Sequence, residues 1–172
     1  MKKPDHAVEK ILQPGDFFFG DRNFRIRTLL GSCISVVMWH PKLLIGGMCH
    51  YVVSSRNHKK PTQLDGRYGD EAILMFVKEA IRNGTNPNDY IVKIFGGGNM
   101  FSKEKMHVPC VDRPCGDAIN SCRNVSCRNI VKGTSLLEEL GFSITSKDLG
   151  GIQSRNIIFD IWSGDVWVRK NT

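Results

Sequence analysis

Cys33 and His50 are the two side chains whose types and spacing could support nucleophilic chemistry. A thiol with pKa about 8.5 is mostly protonated near neutrality, and a neighbouring imidazole can take its proton or stabilise the thiolate. The segment between them reads as a hairpin. Positions 24–30 are β-rich, Gly31-Ser32 interrupts, and 34–39 resume with β-branched and aromatic residues. His40-Pro41-Lys42 gives a turn, and 43–53 return as a strand in which Gly46-Gly47 marks a bulge or a close backbone approach.

If Pro41 and Lys42 are the two central turn residues, His40 faces Leu43 and Cys33 faces His50. Facing residues hold their Cβ atoms about 4.5–5.5 Å apart on one side of the sheet. A slip of one residue would place Cys49 there instead. An imidazolium opposite the thiol would pull its pKa below the free value, so Cys33 is expected to be an acidified nucleophile and His50 its base. Thr28, earlier in the same segment, could hydrogen-bond the other ring nitrogen of His50 and fix its tautomer. The tight Gly31-Ser32 approach could aim backbone N–H groups at a developing oxyanion. The plainer alternative is a core cysteine and a satisfied structural histidine, and spacing alone does not decide between them.

The elements needed to hold such a pair are partly visible. The clearest helix opens at Asp70, carries an apolar stripe of Ile73, Leu74, Phe76, Val77, Ala80 and Ile81, and ends at Asn83-Gly84. A short strand over 90–95 runs into Gly96-Gly97-Gly98. Positions 102–124 look irregular, 130–140 look helical despite Gly133, and Gly141 is a natural stop. A closing hairpin spans 156–162, a Ser163-Gly164-Asp165 turn, and 166–169.

The chain of 172 residues, 41% hydrophobic with 17 glycines, fits one domain over 1–172 with an insertion at about 102–124. No apolar run reaches the roughly 18 residues that span a bilayer, and no secretory signal follows the basic N-terminus, so a cytoplasmic protein without membrane insertion is expected. Lys plus Arg number 24 against 17 Asp plus Glu, which favours acidic partners. The basic residues are scattered and carry no nucleic-acid motif, so a protein partner is expected rather than nucleic acid. The exception is the Arg56-to-Lys60 stretch with His58, which reads as a solvated loop or as a contact for an acidic protein partner. Cys110, Cys115, Cys122 and Cys127, near His107, could hold a structural zinc, although their C-x4-C spacing lies at the edge of the usual range; the alternative is a set of reduced loop thiols. The expectation adopted is no metal and no cofactor.

The whole chain also resembles the CheD family of chemoreceptor glutamine deamidases. The resemblance rests on Thr28-Leu29-Leu30-Gly31-Ser32-Cys33, Gly47-Met48-Cys49-His50, and Leu12-Gln13-Pro14-Gly15-Asp16. Arg67-Tyr68-Gly69-Asp70, Phe95 through Phe101 and Arg128-Asn129 follow in the family's order, then Asp148-Leu149-Gly150-Gly151, Arg155 and Gly164 through Arg169. It implies an α+β fold, a layered α/β/β/α sandwich of mixed sheets similar to the cytotoxic necrotizing factor type of cysteine hydrolase. It implies a catalytic Cys33, a base at His50 and an orienting Thr28. The implied reaction is hydrolysis of glutamine side chains to glutamate on methyl-accepting chemotaxis receptors through a Cys thioester, with glutamyl methyl ester hydrolysis by the same route. The implied second partner is the CheC phosphatase, and the apolar tip at Met100-Phe101 is an expected contact for either the receptor or CheC. The alternative is a non-catalytic adaptor that binds receptors or CheC. One departure is Ser154, which stands where the family pattern has glycine before Arg155.

Overall fold

The structure, a computed structural model, describes residues 3–56, 62–100 and 124–171. In chain order the elements are β1 Val8–Ile11, β2 Phe17–Asp21, β3 Phe24–Leu30, β4 Ile34–His40, β5 Ile45–Cys49, α1 Gly69–Arg82, β6 Ile91–Gly96, α2 Val125–Glu139, β7 Ile144–Leu149, β8 Arg155–Asp160 and β9 Asp165–Lys170. Two mixed sheets result. A four-stranded one is ordered β1-β3-β8-β9, and a five-stranded one is ordered β2-β5-β4-β6-β7.

The apolar run of β4 explains the layering. A strand covered on both faces needs apolar residues at successive positions rather than alternate ones. Ile34, Val36 and Met38 pack with Ile73 and Phe76 of α1 and Ile130 and Leu137 of α2. The intervening Val37 joins Ile26, Ile157 and Phe159 of the four-stranded sheet. Each such fully buried side chain contributes about 1.5–3 kcal/mol. Both helices therefore lie on one face of the five-stranded sheet, and the two sheets pack on each other behind it.

The expected α/β/β/α order is corrected to α/β/β among the described residues. The outward positions of the four-stranded sheet include Arg25, paired with Asp160 through two hydrogen bonds of 2.6 and 2.9 Å, and Arg27, paired with Glu9 at 3.2 Å. The same face also exposes Leu29 and Trp167, and neither described helix covers it.

The β4–β5 turn also differs from expectation. His40 pairs with Ile45, so the loop has four residues rather than two. The Leu44 N–H closes it on the His40 carbonyl at 2.9 Å, and the Leu43 N–H donates to His40 Nδ1 at 3.1 Å. Leu44 takes φ 53°, a left-handed conformation rare for a branched side chain. The β8–β9 loop is built alike, with Asp160 paired to Asp165 and the Gly164 N–H on the Asp160 carbonyl at 2.8 Å. The register thus shifts by two residues, giving Val37 opposite Met48 and Ile34 opposite Tyr51. An even shift keeps every side chain on its face. Cys33 is therefore not directly opposite His50 but one pleat along the same side.

α2 starts earlier than the pattern suggested, because the Asn124 side chain accepts from the Ser126 N–H at 2.9 Å and caps it. The insertion expected at 102–124, with Cys110, Cys115, Cys122 and His107, lies outside the described residues apart from Asn124. Cys127 is buried in the first turn of α2.

Candidate active site

Cys33 stands where the chain leaves one sheet for the other, between the end of β3 and the start of β4. Three backbone contacts hold this crossover. The Gly97 N–H donates to the Cys33 carbonyl at 2.8 Å, and the Gly98 N–H donates to the Gly31 carbonyl at 2.9 Å. At Gly96, with φ 115°, a Cβ would lie 2.2 Å from the Cys33 carbonyl oxygen, so only glycine lets the strand come this close. The Cys33 side chain packs with the cluster between the sheets.

His50 follows β5 directly, and its backbone is clamped by the 12–16 segment. The Gly15 N–H donates to the His50 carbonyl at 2.7 Å, and the His50 N–H donates to the Asp16 carbonyl at 2.9 Å. Its ring reaches across to β3 of the other sheet, where Nδ1 lies 2.7 Å from Thr28 Oγ1. Thr28 Oγ1 also donates to the Leu12 carbonyl at 2.9 Å. A hydroxyl has a single hydrogen, and a carbonyl can only accept. The hydrogen between Thr28 and His50 must therefore sit on Nδ1, which leaves Nε2 as a bare acceptor. His50 is 2% exposed, and Nε2 has no hydrogen-bond partner among the described residues.

Burial sets the protonation of the pair. It lowers the His50 pKa to about 4, only partly opposed by the charge of Asp16. It raises the Cys33 thiol above its ordinary value, with a hydrogen bond from Ser32 acting the other way. The resting pair near neutrality is therefore neutral thiol and neutral imidazole. This corrects the expected acidified thiol, because desolvation outweighs the attraction an imidazolium would offer. A neutral Nε2 can still accept the thiol proton as attack proceeds.

Thr28 and His50 thus meet as expected, and Cys33 shares their inter-sheet layer. Two further contributors stand in segments that the resemblance singles out without giving them a role: the Leu12 carbonyl, a backbone acceptor, and Asn129, which sits in α2 far along the chain. Asn129 Nδ2 donates to the Val52 carbonyl at 2.8 Å and, over a longer 3.4 Å, to the Ser32 carbonyl. Of the basic loop, only Arg56 lies within the described residues. Arg56 makes two hydrogen bonds to Glu71, at 2.8 and 3.1 Å, and stacks over Tyr68, while His58, Lys59 and Lys60 lie outside the described residues. Ser154 serves the fold, since its hydroxyl accepts from Asn171 Nδ2 at 2.9 Å and its carbonyl from the Asn171 N–H at 3.0 Å.

The fold is an α+β arrangement of two mixed sheets, with Cys33 at the crossover between them and His50 held against Thr28 of the other sheet. The comparisons with known proteins are specific. The family described as CheD chemotactic sensory transduction matches residues 53–170. A probable chemoreceptor glutamine deamidase CheD of Pseudomonas syringae pv. tomato is 41% identical over 98% of this chain and 93% of its own. One from Pseudomonas fluorescens is 43% identical over 98% of this chain and 88% of its own, and one from Leptospira interrogans is 35% identical over 98% and 96%. The chain belongs to the CheD family. Thr28, Cys33 and His50 precede the family match but fall within the span that these relatives cover. A crystal structure of the Bacillus licheniformis hypothetical protein YfiH overlaps 79% of this chain and 49% of that one, with 17% identity and a TM-score of 0.46. No helix among the described residues is long and apolar enough to cross a membrane.

Proposed function

We propose that this chain deamidates glutamine side chains on methyl-accepting chemotaxis receptors, with Cys33 as nucleophile, His50 as general base and Thr28 as the group that orients it. The observation that carries the mechanism is the Thr28–His50 contact at 2.7 Å, which leaves Nε2 unprotonated and without a partner among the described residues, in the layer that holds the thiol. The substrate class rests on the relatives, which are named as probable chemoreceptor glutamine deamidases.

In this reading Nε2 takes the thiol proton as sulfur attacks the side-chain amide carbon. The imidazolium returns that proton to the departing nitrogen, and ammonia leaves a thioester. Water then attacks with Nε2 again as base, the carbon–sulfur bond breaks, and glutamate and the thiol are restored. A glutamyl methyl ester would enter the same acyl-enzyme and release methanol. The similarity to the cytotoxic necrotizing factor type of cysteine hydrolase that the resemblance implies belongs to this reading, and so does a cytoplasmic location, where the receptor's cytoplasmic segment is met. CheC is the expected second partner. A non-catalytic adaptor would have no need for a histidine whose tautomer is fixed.

Mass spectrometry of receptor cytoplasmic segments after incubation tests the proposal. Wild type is expected to produce the Gln-to-Glu mass change. Cys33→Ala should produce none while still co-sedimenting with receptor, and conversion by that variant at the wild-type rate would remove Cys33 as nucleophile.

A further inference from the structure

An oxyanion forms whenever the thiol attacks an acyl carbon, and a donor must meet it. The peptide between Ser32 and Cys33 determines where one such donor points. A trans peptide is planar, with its C=O and N–H directed oppositely. The Ser32 carbonyl is directed at Asn129 Nδ2 in α2, on the helix side of the five-stranded sheet. The Cys33 N–H of the same peptide must therefore point the other way, toward the inter-sheet side where the thiol packs and where His50 meets Thr28. That N–H donates to no group among the described residues.

Asn129 is suited to fixing this orientation. It is 1% exposed, and its Nδ2 bridges the carbonyl of Ser32, next to Cys33, and that of Val52, two residues beyond His50. The two acceptors dictate which end of the amide faces them, leaving Oδ1 buried and without a partner among the described residues. Its own carbonyl accepts from the Tyr51 hydroxyl at 2.7 Å, so helix and hairpin are tied at both levels.

We propose that Asn129 is a positioning residue that forms the oxyanion hole: by holding the Ser32 carbonyl on the helix side, it turns the Cys33 N–H toward the oxygen of the tetrahedral intermediate. This rests on Cys33 being the nucleophile but not on the receptor being the substrate.

Two reactions of one thiol separate positioning from structure. Iodoacetamide alkylates sulfur by displacing iodide and forms no oxyanion. 4-Nitrophenyl acetate acylates it through a tetrahedral oxyanion, whose collapse breaks the carbon–oxygen bond and releases 4-nitrophenolate. Both rates are measured on the full chain as the difference from Cys33→Ala, which removes the contribution of the other cysteines. Asn129→Ala and Asn129→Asp are expected to lower the acylation-to-alkylation ratio by on the order of tenfold to a hundredfold. Tyr51→Phe, which loosens the same helix contact but spares the Asn129 side chain, should keep the wild-type ratio. If a melting curve shows that neither Asn129 variant folds, Asn129→Ser is read in the same way. A ratio that stays at the wild-type value, whether both rates fall together or neither does, overturns the proposal. A lowered ratio in a protein whose wild type leaves receptors unmodified would sustain it and discard the receptor reading instead.

Discussion

With its Nδ1 hydrogen committed to Thr28, His50 can accept a proton only at Nε2, and its buried position makes charging it costly. Two pH effects follow from a pKa held at about 4 instead of 6.5. Between those values the unfolded chain binds a proton that the folded chain refuses, so stability is fully present above pH 6.5 and is lost as pH falls toward 4. The loss from this one group is about 3 kcal/mol. Urea unfolding across that window should show it, and His50→Gln should flatten the wild-type slope. Activity follows the same group. The acid limb of kcat/KM for ammonia release should lie near pH 4 rather than 6.5, with a plateau extending toward alkaline pH because the thiol also titrates high. Thr28→Val, which removes the acceptor for the Nδ1 hydrogen, should lower kcat by on the order of ten- to a hundredfold. An acid limb at 6.5 in wild type would show that substrate-free His50 is hydrated and not buried.

At the scale of elements, the glycines of the β6–loop junction do what side chains cannot. Gly96 combines φ 115° with a Cβ position 2.2 Å from the Cys33 carbonyl oxygen, and at Gly97 a Cβ would lie 2.6 Å from Ile130 Cγ1. Gly96→Ala should therefore destabilise by about 2 kcal/mol or more and displace the crossover that carries the thiol. The check is a melting curve beside the Cys33 alkylation rate, with both expected to fall. An unchanged melting temperature would mean that β6 does not hold the crossover. The same scale shows what could be read in advance. β4 and α1 were legible because one is a continuous apolar run and the other has a regular stripe. β1 was not, since all four of its residues are exposed and its sequence shows no burial pattern. β7 mixes Ser, Lys and Asp into its middle for the same lack of signal. The first hairpin loop was misread because Leu44 takes a left-handed conformation with no glycine to announce it, whereas Gly164 marks the equivalent place in the second. The residue types of the site were legible for the opposite reason: few side chains can act as nucleophile or base. Their protonation was not, because it depends on burial between sheets that only the fold assembles.

At the scale of the molecule, the formal charge of +7 acts at a distance while the thiol chemistry acts in contact. Arg56, Arg67 and Arg155 are held in ion pairs with Glu71, Asp65 and Asp148. Each such pair removes one charge of either sign, so the net excess of +7 is unchanged and draws anionic surfaces toward the protein over a screening length of about 8 Å at physiological salt. Such a field raises the encounter rate with an acidic partner and leaves a small neutral reagent unaffected. Raising ionic strength should therefore lower kcat/KM for deamidation of an acidic receptor segment, mainly through KM, by on the order of tenfold across the accessible range. Alkylation of Cys33 by iodoacetamide should not change over the same range, because neither the neutral reagent nor the neutral thiol–imidazole pair carries a charge for salt to screen. Parallel decline of both rates would mean that salt alters the fold or the thiol itself. A salt-independent kcat/KM would show that receptor recognition rests on apolar contact, and the exposed Leu29 and Trp167 on the outer face of the four-stranded sheet would then be the first side chains to replace.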